Sequence, residues 1–137
     1  MWNKKDRLGS HVYVKGGAEA VELYKEAFGL EIKGSPTLDG DGNIWHCVLQ
    51  KNGEEYLSVS EDKYLPGTLV KEYPRESRPV MLFEVEFDNE GDLIKAFELL
   101  SKGGNPCAGL KAEPWSELSC DVIDRFGVFW YLIVWKR

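Results

Sequence analysis

Two histidines and one glutamate are the side chains in this sequence best suited to proton-transfer chemistry. His11 and His46 are the only histidines in the chain, and an imidazole can donate or accept a proton near neutral pH. Glu84 lies in a segment that alternates apolar and acidic residues, which predicts a strand with the glutamate on one face. On a covered sheet face a carboxylate has a raised pKa, so it could act as a general base or accept a hydrogen bond from a ligand.

Each of these candidates also has a purely structural interpretation. Glu84 could lie at the solvated edge of an open groove, where its charge costs little. His46 could be a hydrogen-bonded structural histidine among neighbouring aromatic residues. Tyr13 and Tyr131 could orient a ligand through their hydroxyls, or they could fill the groove as amphipathic aromatic side chains.

The cysteines do not add a nucleophile or a disulfide framework to this set. Cys47, Cys107 and Cys120 are odd in number and widely spaced, which fits a reduced cytoplasmic protein better than a disulfide-stapled one. The predicted strands place Cys47 and Cys120 on the faces opposite the polar candidates. We interpret these two as inert buried thiols, because no nearby histidine or helix N-terminus is evident to activate them.

Composition limits the classes of partner. The chain has 137 residues, of which 43% are hydrophobic and 29% charged, with a formal net charge of −6 and a pI of about 5.0. These values predict one globular domain. The acidic excess argues against nucleic acid or an anionic membrane surface as the main partner, since both need clustered lysine and arginine. The sequence contains no long apolar run and no secretory signal, so we expect a cytoplasmic protein.

The strand and helix patterns occur twice along the chain. A strand at 11–14 precedes a helical pattern at 18–28 that Gly29 ends, and further strands are predicted at 30–33, 44–50 and 56–60. After a polar connector, strand 79–87 precedes a helix that Asn89 and Asp92 can cap, and strands 116–123 and 128–135 follow. An offset of about 73 residues superimposes the halves, placing Val12 on Val85 and Cys47 on Cys120.

This duplication predicts an α+β fold. Two tandem βαβββ modules, at about 9–61 and 79–137 with a connector at about 62–78, would form a curved mixed sheet of about eight strands in a single domain. The helices would lie outside, and a concave trough would be left within. Strand alternation then places Val12 and Val85 towards the helices, and His11, Tyr13 and Glu84 towards the trough.

Residues 39–43 have the sequence Asp-Gly-Asp-Gly-Asn, which invites interpretation as a calcium-binding loop. The bidentate glutamate that such a loop places later at fixed spacing is missing. We interpret the segment as a turn between strands, because aspartate, asparagine and glycine tolerate turn conformations.

The βαβββ repeat resembles the vicinal oxygen chelate superfamily of glyoxalases, bleomycin-resistance proteins and dioxygenases. Within it, residues 17–29 look like the first helix of the PhnB-like branch, and residues 124–130 look like its closing-strand motif. His46 lies where that branch often has a histidine on the third strand. The resemblance implies the glyoxalase/bleomycin-resistance fold across nearly the whole chain, and it implies activity only weakly, because this fold hosts many functions.

Metal-dependent members of that superfamily bind a divalent ion with histidine or glutamate side chains from the first and last strands of each module. Counted from the helices and the final glycine turn, those positions fall near Gly9, Ser58, Leu82 and Tyr131. None of these residue types is a standard ligand in such a site, so we expect no metal cofactor. A displaced divalent site using His11 and Glu84 is the alternative.

Three functions follow from these expectations. The first is metal-free binding of a small organic molecule in the trough, with His11, Tyr13, His46, Ser58, Leu82, Glu84 and Tyr131 as candidate contacts. The second is a metal-dependent lyase, isomerase or oxygenase of the glyoxalase type at the displaced site. The third is an interaction protein whose trough is filled by another chain. Because members of the superfamily are often dimers, we expect a homodimer, with exchange of modules through the polar connector as one form of it.

Overall fold

A computed structural model describes residues 8–65 and 81–137 of the chain. These residues form two compact units. The first contains residues 8–25 and 29–65, and the second contains residues 26–28 and 81–137. The predicted connector falls largely outside the described residues. Two α-helices and two mixed sheets make up the units, so the predicted α+β fold is confirmed.

The first unit is built around a mixed sheet. Its elements are β1 (His11–Val14), α1 (Gly17–Phe28) apart from residues 26–28, β2 (Glu31–Ile32), β3 (Thr37–Leu38), β4 (Ile44–Lys51) and β5 (Glu54–Glu61), followed by a 3-10 helix at Asp62–Tyr64. The sheet order is β1-β5-β4-β2, and β3 pairs with β4. β1 runs parallel to β5, and the other pairings are antiparallel. The Asn-Gly turn between β4 and β5 produces the predicted hairpin, with Asn52 at φ 53°.

The second unit has four strands in the order β6-β9-β8-β7. Its elements are β6 (Phe83–Glu86), α2 (Glu90–Ser101), β7 (Asn105–Glu113), β8 (Ser116–Ile123) and β9 (Phe129–Trp135). β6 runs parallel to β9, and the other pairs are antiparallel. The apolar strand β9 lies between β6 and β8, as its two apolar faces predict. The long β7 was missed because Pro106 and Gly109 interrupt its pattern, which an edge strand tolerates.

The duplication extends to the pairing of individual residues. In the first sheet Ser58 lies between His11 and Val48, and in the second Tyr131 lies between Glu84 and Asp121. Each residue of the second trio follows its counterpart by 73 positions. α1 and α2 are related by the same offset, from Gly17 to Glu90. Equivalent residues of the two copies therefore occupy equivalent places on their sheets.

The two helices begin with different caps. Asn89 caps α2 by accepting a hydrogen bond from the Asp92 backbone N–H at 2.8 Å, and its side-chain amide donates to the Asp92 carboxylate at 3.0 Å. The predicted capping pair is therefore present, with the return bond made between side chains. At α1 the backbone N–H groups of Gly16 and Gly17 donate to the Glu61 carboxylate, which β5 supplies. An anion at a helix N-terminus is electrostatically favourable.

Neither α-helix, each 12 residues long, has the length and apolarity of a bilayer-spanning helix, and no other described helix does.

Candidate functional site

One face of the first sheet collects the histidines. Alternation along β1 buries Val12 and Val14 on one side and leaves His11 exposed and Tyr13 half-buried on the other. The neighbouring strands follow the same alternation, so this second side also carries His46, Val48, Ser58 and Ser60. We call it the histidine face.

The His11 side chain has three neighbours on the histidine face. Its Nε2 lies 2.8 Å from Ser60 Oγ. Its ring stacks on Tyr13 with 4.2 Å between centroids and 9° between planes. The His46 ring is 5.4 Å away and tilted by 52°. Four of the polar residues on this face, from three adjacent strands, therefore meet at one place, although their separation in the chain reaches 49 residues.

The surroundings of His11 favour its neutral form. Burial lowers the pKa of His11 below its ordinary 6.5, and the positive charge that His46 can carry lowers it further. In the unfolded chain His11 binds a proton more readily, so its contribution reduces stability as the pH falls through 6.5 towards the folded pKa. At neutral pH the ring is available as an uncharged hydrogen-bonding group.

Replacing His46 tests the electrostatic part of this description. We expect His46→Gln to raise the pKa of His11 while leaving it below 6.5, because burial is the larger cause and remains. The pKa can be measured by following the His11 ring signals in an NMR pH titration. An unchanged His11 pKa in the variant would contradict the proposed coupling between the two imidazoles.

The second sheet holds the remaining sequence candidates. Glu84 pairs in register with Tyr131 but is exposed, so it lacks the desolvation expected of a buried general base. The Tyr131 hydroxyl accepts a hydrogen bond from the Trp115 indole at 3.1 Å. Leu82 lies just before β6 with 40% of its surface exposed. The structure therefore places Glu84 and Tyr131 side by side in this unit, whereas His11, Tyr13, His46 and Ser58 belong to the other.

Sequence reasoning missed two residues of these faces. Ser60 lies two residues after Ser58 on β5, so strand alternation (strand parity) places both on the same face, and Ser60 is 2% exposed. Asp121 pairs with Tyr131, and burial raises its pKa, against a lowering by Lys111. Strand parity could have identified Ser60, and the repeat offset from Val48 could have identified Asp121.

The segment 39–43 is a turn, as interpreted from the sequence. Asp39 Oδ1 accepts hydrogen bonds from the backbone N–H groups of Asp41 and Asn43 at 2.9 and 3.0 Å. Its Oδ2 accepts from the Tyr64 hydroxyl at 2.6 Å and lies 2.9 Å from Lys63 Nζ. The bonds from Tyr64 and Lys63 are the largest causes that lower the pKa of Asp39 well below its usual range. This carboxylate ties the 3-10 helix to the β3–β4 connection.

Comparison with known proteins identifies the fold of this chain. No protein-family model matches the sequence, and a search of curated proteins found no match. Solved structures do match. A PhnB protein from Bacillus cereus is 21% identical with a TM-score of 0.73, over 94% of this chain and 99% of its own. This chain has the glyoxalase/bleomycin-resistance fold.

Two further structures agree with that assignment. A glyoxalase-related enzyme from Fulvimarina pelagi is 18% identical with a TM-score of 0.65, over 94% of this chain and 88% of its own. A glyoxalase/bleomycin resistance protein/dioxygenase family enzyme from Burkholderia phytofirmans is 9% identical with a TM-score of 0.67, over 92% and 95%. The resemblance inferred from the sequence is thereby confirmed at the level of the fold.

The divalent ion used by metal-dependent proteins with the glyoxalase fold does not suit the residues present here. Gly9, Ser58, Leu82 and Tyr131 stand at the four positions counted for ligands, and the Tyr131 hydroxyl is engaged by Trp115. His11 Nε2 is engaged by Ser60. Within residues 8–65 and 81–137, no three or more histidine, cysteine, aspartate or glutamate side chains are grouped closely enough to hold an ion. The described side chains therefore do not fit the histidine and glutamate ligand set of such a divalent ion.

The cysteines differ sharply in accessibility. Cys47 and Cys120 are buried and Cys107 is exposed. Burial is the main cause that raises the pKa of both buried thiols, that of Cys120 to about 12. The thiolate is the reactive form, so Cys47 and Cys120 are unsuited to be nucleophiles at neutral pH.

Thiol labelling tests this difference. At pH 8 we expect a disulfide reagent such as DTNB to modify one thiol per folded chain rapidly, at Cys107, and the other two only after denaturation. The Cys107→Ser variant serves as the control and should lose the rapid phase. Rapid reaction of two or three thiols in the folded protein would contradict the burial of Cys47 and Cys120.

Proposed function

We propose that this protein binds a small organic molecule on the histidine face of its first unit, without a metal ion. The observation that carries the proposal is the arrangement of His11, held by Ser60, stacked on Tyr13 and adjacent to His46. Binding sites for small molecules combine apolar and aromatic surface with a few polar groups whose orientation is set in advance. The histidine face has both properties.

The chemistry of the face indicates how a ligand would be held. The uncharged His11 imidazole and the Ser58 hydroxyl supply hydrogen bonds without a fixed charge, and Tyr13 and Val48 supply flat and apolar surface. Ring stacking and one or two directional hydrogen bonds are the expected contributions. Each hydrogen bond contributes about 1 kcal/mol net, so several must act together for micromolar affinity.

A thermal-shift screen followed by variants tests the proposal. A panel of aromatic and cationic metabolites and drugs is screened against the wild-type protein. A bound compound raises the unfolding temperature, and the stabilisation grows with the logarithm of its concentration relative to Kd. We expect at least one compound to stabilise the wild type, and His11→Ala to reduce that stabilisation, while Glu54→Gln, at the far end of β5, retains it. No stabilisation by any compound would count against the proposal.

Metal analysis tests the other half of the proposal. Protein prepared without chelators is measured for zinc, nickel, manganese and iron, and thermal shifts are repeated with each added ion. We expect no stoichiometric metal, and ligand binding that is unchanged by a chelator. A stoichiometric ion, with binding lost on chelation, would favour the metal-dependent alternative. The predicted homodimer and the cytoplasmic location stay predictions, and light scattering at micromolar concentration tests the first.

A further inference from the structure

Ser60 is a buried hydroxyl whose bonding determines the state of His11. Only 2% of Ser60 is exposed. In the part of the chain that the structure describes, His11 Nε2, at 2.8 Å, is the hydrogen-bond partner found for its Oγ. A buried hydroxyl that donates no hydrogen bond loses the one that water provides in the unfolded chain, which is unfavourable. Donation from the Ser60 hydroxyl to Nε2 avoids that loss, whereas accepting a hydrogen bond from Nε2 does not.

This direction of donation restricts the imidazole. A neutral histidine carries one proton, and a ring nitrogen that accepts a hydrogen bond cannot hold that proton. The stack on Tyr13 sets the ring plane at 9° to the tyrosine plane, and the contact of Nε2 with Ser60 sets the rotation of the ring within that plane, so the direction of the remaining nitrogen is set as well. Burial and the proximity of His46 keep the ring uncharged at neutral pH.

We propose that Ser60 is a positioning residue that locks His11 in the Nδ1–H tautomer, so that the histidine face offers an N–H donor and selects molecules with an acceptor oxygen, such as a carbonyl or carboxylate. The part of this inference that concerns the ligand rests on the proposed function. The part that concerns the tautomer does not, because it is a property of the protein alone.

Nitrogen-15 NMR of the free protein tests the tautomer directly. Long-range proton–nitrogen spectra at pH 8, above the ordinary pKa of histidine, distinguish a protonated Nδ1 from a protonated Nε2. We expect wild-type His11 to show the Nδ1–H pattern. Ser60→Ala should shift His11 towards the Nε2–H form that predominates in free histidine, and Ser60→Thr should restore the wild-type pattern.

Ser58→Ala is the matched control for these spectra. Ser58 is the register partner of His11 on the same strand as Ser60, and its replacement should leave the His11 tautomer unchanged. A wild-type spectrum with the proton on Nε2 would overturn the inference by itself, whether or not a variant folds. An unchanged His11 pattern in a folded Ser60→Ala variant would overturn it as well.

Four matched probes test the selection of ligands. Benzoate and acetophenone carry an acceptor oxygen beside the ring, whereas toluene and aniline do not. We expect the first two to bind at least about fivefold more tightly to the wild type, the ratio that one hydrogen bond of about 1 kcal/mol gives, and to lose that preference in Ser60→Ala. Equal affinity of all four would overturn the selection. Binding of none would overturn it together with the proposed function, while the apo spectra would still decide the tautomer.

Discussion

Replacing Asp124 by alanine should destabilise the protein by about 3 kcal/mol or more, because one buried carboxylate accepts three hydrogen bonds, one of them from a buried indole. Asp124 is 3% exposed. Its Oδ1 accepts from the backbone N–H groups of Phe126 and Val128 at 2.9 and 3.1 Å, and its Oδ2 accepts from the Trp130 indole at 2.8 Å. Alanine would remove all three hydrogen bonds at the turn between β8 and β9.

Urea denaturation measures this loss, and Asp39→Ala is the matched control. Asp39 uses the same arrangement, accepting from the backbone N–H groups two and four residues later and from an aromatic hydroxyl. It lies nearer to solvent, so water can replace the lost bonds and the destabilisation should be clearly smaller. Equal losses in the two variants would show that burial of the Asp124 carboxylate does not set the cost.

Replacing Gly104 by alanine should have an effect of similar size, about 3 kcal/mol, from overpacking against backbone. A Cβ at this position would lie 2.5 Å from the Ile123 carbonyl oxygen, 2.9 Å from the Leu100 carbonyl oxygen and 3.0 Å from Asp124 Cα. None of these atoms can move aside without shifting a helix end or the β8–β9 turn. The strain is purely steric, because Gly104 has no positive φ.

Gly109→Ala is the control for this second substitution. Gly109 lies in β7, five residues further along, and a Cβ there would meet no atom within 4 Å. We expect no loss of stability, or a small gain, since alanine restricts the unfolded chain more than glycine does. A stable Gly104→Ala variant, with the same urea midpoint as wild type, would contradict the close approach of these three segments.

Much of the fold could be predicted because its signals are local and repeated. The 3.6-residue periodicity, the glycine that ends α1 and the Asn-Gly turn each indicate one element. The offset of 73 residues then relates the elements to each other, and the paired residues keep that offset in the structure. β7 could not be predicted, because edge strands with proline and little apolar alternation carry no such signal.

The candidate site could be predicted only in part. Strand parity was enough to place His11 and Tyr13 on one face. It could not show that Ser60 approaches His11 Nε2, because that contact depends on side-chain rotamers and on the parallel register of β1 with β5. The ligand positions counted from the resemblance include Ser58, whereas the serine that bonds His11 is Ser60, two residues later.

The two copies of the repeat differ in the chemistry of equivalent positions. His11 and Ser58 in the first sheet correspond to Glu84 and Tyr131 in the second. The first copy presents imidazoles and hydroxyls, and the second presents an exposed carboxylate beside a hydrogen-bonded phenol. This difference is why we place the ligand contacts that decide affinity on the histidine face.

A chemical-shift map of the wild-type protein during titration with benzoate tests the histidine face most directly. We predict that the largest changes fall on His11, Tyr13, His46 and Ser58, and that they saturate. Changes centred instead on Trp115, Tyr131 and Asp121, or no saturable change on the histidine face, would contradict the assignment of the binding site to the first unit.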